Sequence, residues 1–237
     1  MNWEPDPKTG QPVGLPVDTT PAKRPGPVVL QGRFGLIEKL NIRHAATLWP
    51  RVEGHDEIWT YMSRYGPFAS FEEFSKWMAG FSESGDPYAY AIVNAEGDAV
   101  GFLALMRIEP AMRVIEVGHV LYSPSLQRTP LATEAQYLLA RYAFETLGYR
   151  RYEWKCHWLN DASRHAALRL GFTFEGIHRQ LIIAKGRNRD TAWYSMLDSE
   201  WPARKRNFER WLSSDNFTAD GQPKLSLFSL NTGSRTE

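Results

Sequence analysis

A single cysteine, Cys156, stands in 237 residues, so no intrachain disulfide can form and the chain suits a reducing compartment. Charge of one sign is missing as well. There are 28 basic and 27 acidic residues, a net of +1, and no long run of either sign, which argues against a nucleic-acid partner. The densest basic cluster, Arg204-Lys205-Arg206, alternates with Trp201, Phe208 and Trp211 at helical spacing and is expected on the wet face of a helix. No apolar stretch approaches the roughly 20 residues that cross a membrane. The first residues lack the basic and apolar segments of a secretory signal. A soluble, cytoplasmic protein with no membrane partner is expected. The six histidines form no His-Glu-x-x-His pattern and there is no Cys-x-x-Cys, so no metal site is expected.

What is present is a core. Hydrophobic residues make up 43% of the chain and aromatic residues 13%. Seven of the fifteen prolines fall within residues 1–29, which predicts an extended arm, with Trp3, Val13, Leu15 and Val17 available to pin it. Residues 30–214 contain no linker and no repeat and are expected to form one domain, followed by an irregular tail at 215–237. Periodicity predicts a strand at 33–40 and a helix at 42–52 with Ile42, Ala45, Ala46 and Trp49 inward. A helical stretch at 56–63 follows. Ser70-Phe71-Glu72-Glu73 has the form of a capping box opening a helix through Phe81. A hairpin at 88–93 and 99–107, a strand at 114–122 and a long helix at 130–147 closed by Gly148 come next. A strand at 151–158, a short helix at 161–170, strands at 174–183 and 191–197, and a helix at 201–212 complete a mixed α/β sheet covered by helices.

The chemically informative part runs from Glu116 to Phe172. A strand leads through a short loop, Gln127-Arg128-Thr129-Pro130-Leu131-Ala132, into a helix. Such a loop offers unpaired amides at a helix N-terminus, a natural cradle for phosphate. A second strand follows, then Asn160-Asp161-Ala162-Ser163 and a helix ending Leu170-Gly171-Phe172. These residues resemble the GNAT (Gcn5-related) N-acetyltransferases, most of all the RimJ/RimL-like branch. The opening Leu36-Ile37-Glu38-Lys39-Leu40-Asn41-Ile42-Arg43-His44 resembles that branch too, and the likeness covers about residues 33–197.

The resemblance implies a mostly antiparallel sheet with two splayed parallel strands, here 114–122 and 151–158, and acetyl-CoA held in the gap between them. Its cofactor-binding residues would be Leu121 and Tyr122 at the strand end, Gln127, Arg128, Thr129, Leu131 and Ala132 in the loop, and Asn160 and Arg164. Pro130 stands where the family's cradle has its central glycine. Proline suits a first helical turn but removes one amide donor. The family's common tyrosine acid is also absent, since its position holds Ala167. Ser163 stands where the RimL-like branch places a serine and is the implied proton donor to the leaving thiolate, or else a plain first-turn serine. Glu116 is the implied general base, or else a strand-end carboxylate facing water or an arginine. Asn160 would serve equally as a helix cap, and Arg164 could point to solvent. His119 and His157, one on each splayed strand, could line an acceptor pocket.

The implied function is an acyltransferase moving an acetyl group to a primary amine, on a peptide N-terminus or a small molecule, by direct transfer in a ternary complex. A silent CoA-binding or regulatory domain, or transfer of another acyl group or to a hydroxyl, stays open. So do the acceptor and whether the chain is a monomer or a homodimer.

Overall fold

The computed structural model describes residues 3–233. An eight-stranded sheet forms the framework. It contains β3 (Val29–Gln31), β4 (Gly35–Lys39), β5 (Tyr88–Asn94), β6 (Ala99–Glu109), β7 (Val114–Tyr122), β8 (Arg151–His157), β9 (Thr173–Ala184) and β10 (Arg187–Leu197), after a separate hairpin of β1 (Trp3–Pro5) and β2 (Pro12–Gly14). The spatial order is β3-β4-β5-β6-β7-β8-β10-β9. Every neighbouring pair is antiparallel except β7 and β8. A parallel pair needs a crossover. Helix α3 (Pro130–Arg141), continued by a π-helical turn over Tyr142–Leu147, supplies it.

Two apolar clusters lie on the two faces of the sheet. One packs α3 and α5 (Trp201–Leu212) against Ile115, Val117, Tyr152 and Trp154. The other packs α1 (Ala45–Val52) and α2 (Phe71–Glu83) against Ala89, Ala91, Phe102 and Leu121. Strand alternation decides which residue meets which cluster. In the second cluster Trp59 is a hub, its ring in contact with those of Tyr65, Phe68, Phe74 and Trp77. Gly66 takes φ +64° with its backbone so close to that indole that an added Cβ would lie 2.4 Å from the ring.

Several expectations are corrected here. The 42–52 segment begins as a 3₁₀ turn, Ile42–His44, and becomes α-helical only at Ala45. Ile42 and Ala46 are exposed, and His44 and Leu48 point inward instead. The second helical stretch shrinks to a 3₁₀ turn, Asp56–Trp59. Ser70 caps α2 by accepting from the Glu73 amide, but Glu73 returns its carboxylate to Ala69 N–H rather than to Ser70. The connection between the strands predicted at 174–183 and 191–197 is shorter than their bounds imply, because β9 extends to Ala184 and β10 begins at Arg187.

Both ends of the chain carry more structure than their composition suggests. Trp3, Val13, Leu15 and Val17 pin nothing and stay exposed. The arm is held further along by backbone bonds: Ala22 N–H to Pro110 O (3.0 Å) and Lys23 N–H to Leu147 O (2.8 Å). Tyr142 accepts from Gly26 N–H (3.2 Å), and Tyr90 donates to Gly26 O (3.1 Å). Its end then joins the sheet as β3. The tail read as irregular forms α6 (Leu227–Thr232), with Leu227 buried. Arg204, expected in water, is buried and donates to Asn231 O across the α5–α6 contact (2.9 Å). Gly171, at φ +94°, lets the Arg204 side chain pass; a Cβ there would sit 2.7 Å from it. No described helix is long and apolar enough to cross a membrane.

Candidate active site

The site is built where β7 and β8 part. Their parallel pairing runs from Val114–Arg151 to Val117–Trp154 and stops. Beyond it the strands diverge, β7 as far as Tyr122 and β8 as far as His157. His119 takes φ +50° at a register shift between β6 and β7, and this irregularity turns the strand away from its neighbour. The result is a cleft through the sheet.

On one side of the cleft lies the start of α3. Thr129 is its N-cap; its hydroxyl accepts from Ala132 N–H (3.2 Å) and donates to Leu126 O (2.7 Å). Pro130 occupies the first turn, where its missing N–H leaves no helical bond unmade. Gln127 sends its amide nitrogen to Tyr122 O (3.2 Å) and its backbone N–H to Ser123 O (3.1 Å), so it shapes the loop. Tyr122 does likewise, its hydroxyl donating to Ala132 O (3.1 Å) and accepting from Gln136 (2.8 Å). Leu121 and Leu131 are buried and have only main chain to offer a ligand. Arg128 adopts φ +63°, and its N–H and that of Leu131 find no acceptor among the described residues. Those two amides fit a phosphate-bearing ligand, with Pro130 and the capped Ala132 N–H as the donors lost.

Helix α4 (Asp161–Arg169) borders the cleft from the β8 side. Asn160 caps it, accepting from Ser163 N–H (3.0 Å). Ser163 Oγ accepts from the indole N–H of Trp154 (3.0 Å), an arrangement that leaves the serine's own proton for a further acceptor. Cys156 lies beside it, its thiol pKa raised by burial. Arg164 is drawn back to Trp158: the guanidinium stacks 3.7 Å from its ring, donates to its carbonyl (3.1 Å) and pairs with Asp161 (2.9 Å). That position commits it to the α4 surface.

On the opposite face the strands present Glu116, Lys155 and His157 to a pocket of about 560 Å³. Its roof is the segment before α2, held by three long-range ties. Lys185, in the β9–β10 turn, donates to the carbonyls of Trp59 (3.0 Å) and Gly66 (2.7 Å). Arg189 donates to Ser63, and Tyr61 donates to Leu159 O (3.0 Å). Glu116 is buried, 2.9 Å from Lys155 Nζ and 3.1 Å from Arg107 Nε; Glu153 takes the other side of Lys155 at 2.6 Å. Burial raises the Glu116 pKa above the ordinary carboxylate value, and the two cations only partly oppose it. Burial also holds His119 down to about 4, so its ring is neutral near pH 7. Tyr65, whose pKa burial raises, shares a hydrogen bond of 2.6 Å with His119 Nδ1.

Glu116, Asn160 and Ser163 therefore converge on the cleft, while the 127–132 loop offers its amides at the helix start. Three features were not legible from the sequence: the places of Arg189 and Lys155, and the pairing of Tyr65 with His119, although His119 itself was expected to line an acceptor pocket. A cation on the strand alternating with Trp154 and Cys156 was the available signal for Lys155 alone.

Residues 36–173 match the family model of the acetyltransferase (GNAT) domain. The crystal structure of a GCN5-related N-acetyltransferase from Brucella melitensis superposes with a TM-score of 0.87 at 45% identity, covering 90% of this chain and 98% of that one. A GNAT-family structure from Chromobacterium violaceum gives 0.76 at 40% identity, covering 84% of this chain and 100% of the other. A curated relative from Bacillus subtilis, YdaF, provisionally named a ribosomal N-acetyltransferase, is 29% identical over 110 residues, which span 46% of this chain and 60% of YdaF. With a family match over more than half its length and a sheet split at β7 and β8, this chain belongs to the GNAT acetyltransferase family.

Proposed function

We propose that the chain transfers an acetyl group from acetyl-CoA to a primary amine directly, with both substrates bound at once. The observation that carries this is the cleft between β7 and β8, with the two free loop amides at its α3 side and Glu116 at the pocket on its other face. Bound acetyl-CoA would supply the activated acyl group. The protein's part is positioning and proton handling. Glu116, its pKa raised, suits accepting a proton from an ammonium through water. Ser163, its oxygen fixed by Trp154, holds a proton at the cleft for the departing sulfur. Ala167, on the buried face of α4, stands where the family's tyrosine acid would be and has no proton to give. Among the described residues no nucleophile is paired with a base at the cleft, and Cys156 is buried with a raised pKa, which argues against a covalent acyl-enzyme.

Isothermal titration tests the donor site. Acetyl-CoA and CoA should bind with micromolar affinity, about −8 kcal/mol. Thr129→Trp, which replaces the cap and fills the loop, should abolish that heat. Binding unchanged by Thr129→Trp would remove the loop from the site, and no heat from either ligand would sink the proposal. In a thiol-release assay Ser163→Ala should lower kcat about 10²-fold with little change in the KM for acetyl-CoA. A kcat equal to wild type would reduce Ser163 to a helix-start serine. Binding without turnover of any amine would instead favour the silent CoA-binding domain, for which the two lost amide donors are the motive.

A further inference from the structure

The walls of the acceptor pocket are unevenly charged. Arg64, Arg107, Lys155 and Arg189 line it, against Asp86 and Glu116. Lys155 and Arg107 are matched with Glu116, and Lys155 with Glu153 as well. The Asp86 carboxylate caps two backbone amides, Arg107 N–H (2.9 Å) and Ile108 N–H (3.1 Å). That leaves Arg64 and Arg189, neither of which has a carboxylate within ion-pair distance among the described residues. Arg189 is the more telling of the two. It projects from β10 beneath the 61–66 segment, where it donates to Ser63, and its Nε lies buried with no hydrogen-bond partner among the described residues. Its sequence neighbour Asp190 faces elsewhere, accepting from Gln180 N–H (2.7 Å) and Asn188 (3.0 Å).

A guanidinium placed in a pocket wall without a counter-ion is a costly arrangement unless a ligand supplies the missing charge. We propose, building on the acetyltransferase reading, that the acceptor is an amine that also carries an oxyanion, a carboxylate or a phosphate, and that Arg189 with Arg64 binds it. The guanidinium of Arg189 has an N–H fork suited to such a group. The same cations disfavour a polyamine, because every additional ammonium meets like charge. They also favour the neutral, nucleophilic form of the reacting amine.

The test is titration of CoA-saturated protein with amines matched in length: an aminoalkyl carboxylate, an aminoalkyl phosphate, an amino alcohol and a diamine. Dipeptide amides Ala-Glu, Ala-Gln and Ala-Lys extend the series to peptide acceptors. One or both oxyanion classes should bind roughly 10–100-fold more tightly than the neutral and cationic members. Which of the two does so distinguishes carboxylate from phosphate. Arg189→Gln should erase the preference, and Arg189→Glu should reverse it towards the diamine or Ala-Lys. Arg64→Gln, at an exposed position that leaves the core untouched, should reduce it and keeps the test open should Arg189 variants fail to fold. Equal binding across the series, tighter diamine binding by the wild type, or a preference unmoved by either substitution would overturn the proposal. Binding decides this independently of turnover. Loss of acetyl transfer with the preference intact would count against the proposed activity alone.

Discussion

Glu116→Gln is expected to lower kcat/KM for the acceptor amine by about 10²–10³-fold while leaving acetyl-CoA binding intact. Glu116 lies on the pocket face of β7, away from the loop amides proposed to hold the donor, so its loss should be felt in proton transfer. The substitution preserves shape and removes charge. Lys155 then keeps Glu153 as its partner at 2.6 Å, which limits the cost in stability. The pH profile gives the sharper signature. Without a base the amine must arrive already neutral, and log(kcat/KM) then rises with a slope of one up to the amine's own pKa. With Glu116 taking the proton from the bound ammonium, the wild-type profile should instead stay flat below the amine's pKa until the pH falls through the raised pKa of Glu116, where it drops with a slope of one. The Gln variant should keep a slope of one throughout. Identical profiles for the two proteins would mean that Glu116 serves only to hold Lys155 and Arg107.

Trp59→Ala should produce the largest loss of stability, about 3–5 kcal/mol, or a fall in Tm of roughly 6–20 °C for a domain of this size. The indole is 2% exposed and meets four other aromatic rings, and Gly66 rests against it too closely for repacking to fill the space. Trp59 also anchors the roof of the acceptor pocket through its carbonyl, which accepts from Lys185. The acceptor KM should therefore rise together with the loss of Tm, with donor binding little changed. Thermal unfolding and titration of CoA on one preparation separate the two effects. A Tm within 2–3 °C of wild type would show that the neighbouring rings collapse into the space.

Much of the sheet was legible because its signals are local. Alternation marked β7 and β8, the Gly148 stop closed the long helix, and Thr129-Pro130 announced its start. The limits of that legibility are physical. Ile42 reads as a helical core position, but three residues of 3₁₀ geometry rotate it out to solvent and bring His44 in. Arg204 reads as solvated because nothing local announces that α6 will cover it; its partner is 27 residues away. The arm's apolar residues Trp3, Val13, Leu15 and Val17 suggested pins, yet the ties lie further along, an Asp18–Arg113 pair and the backbone groups of Ala22, Lys23 and Gly26, and backbone groups carry no residue code. In the site, Glu116, Asn160 and Ser163 were identified by position in a motif. Arg189 was not, because its significance arises only when β10 folds beneath a roof segment 126 residues earlier in the chain.

The ties of the N-terminal arm have a consequence for the order of assembly. The arm leaves the ribosome before its docking partners, Tyr90, Pro110, Tyr142 and Leu147, which lie 64 to 124 residues downstream. It has no native surface to bind until β5, the turn after β6 and the end of α3 are in place. Loop closure over such spans carries an entropic cost that only a preformed surface offsets. The arm is thus made before the surface it needs and settles after it, a strap drawn over a sheet that must already exist.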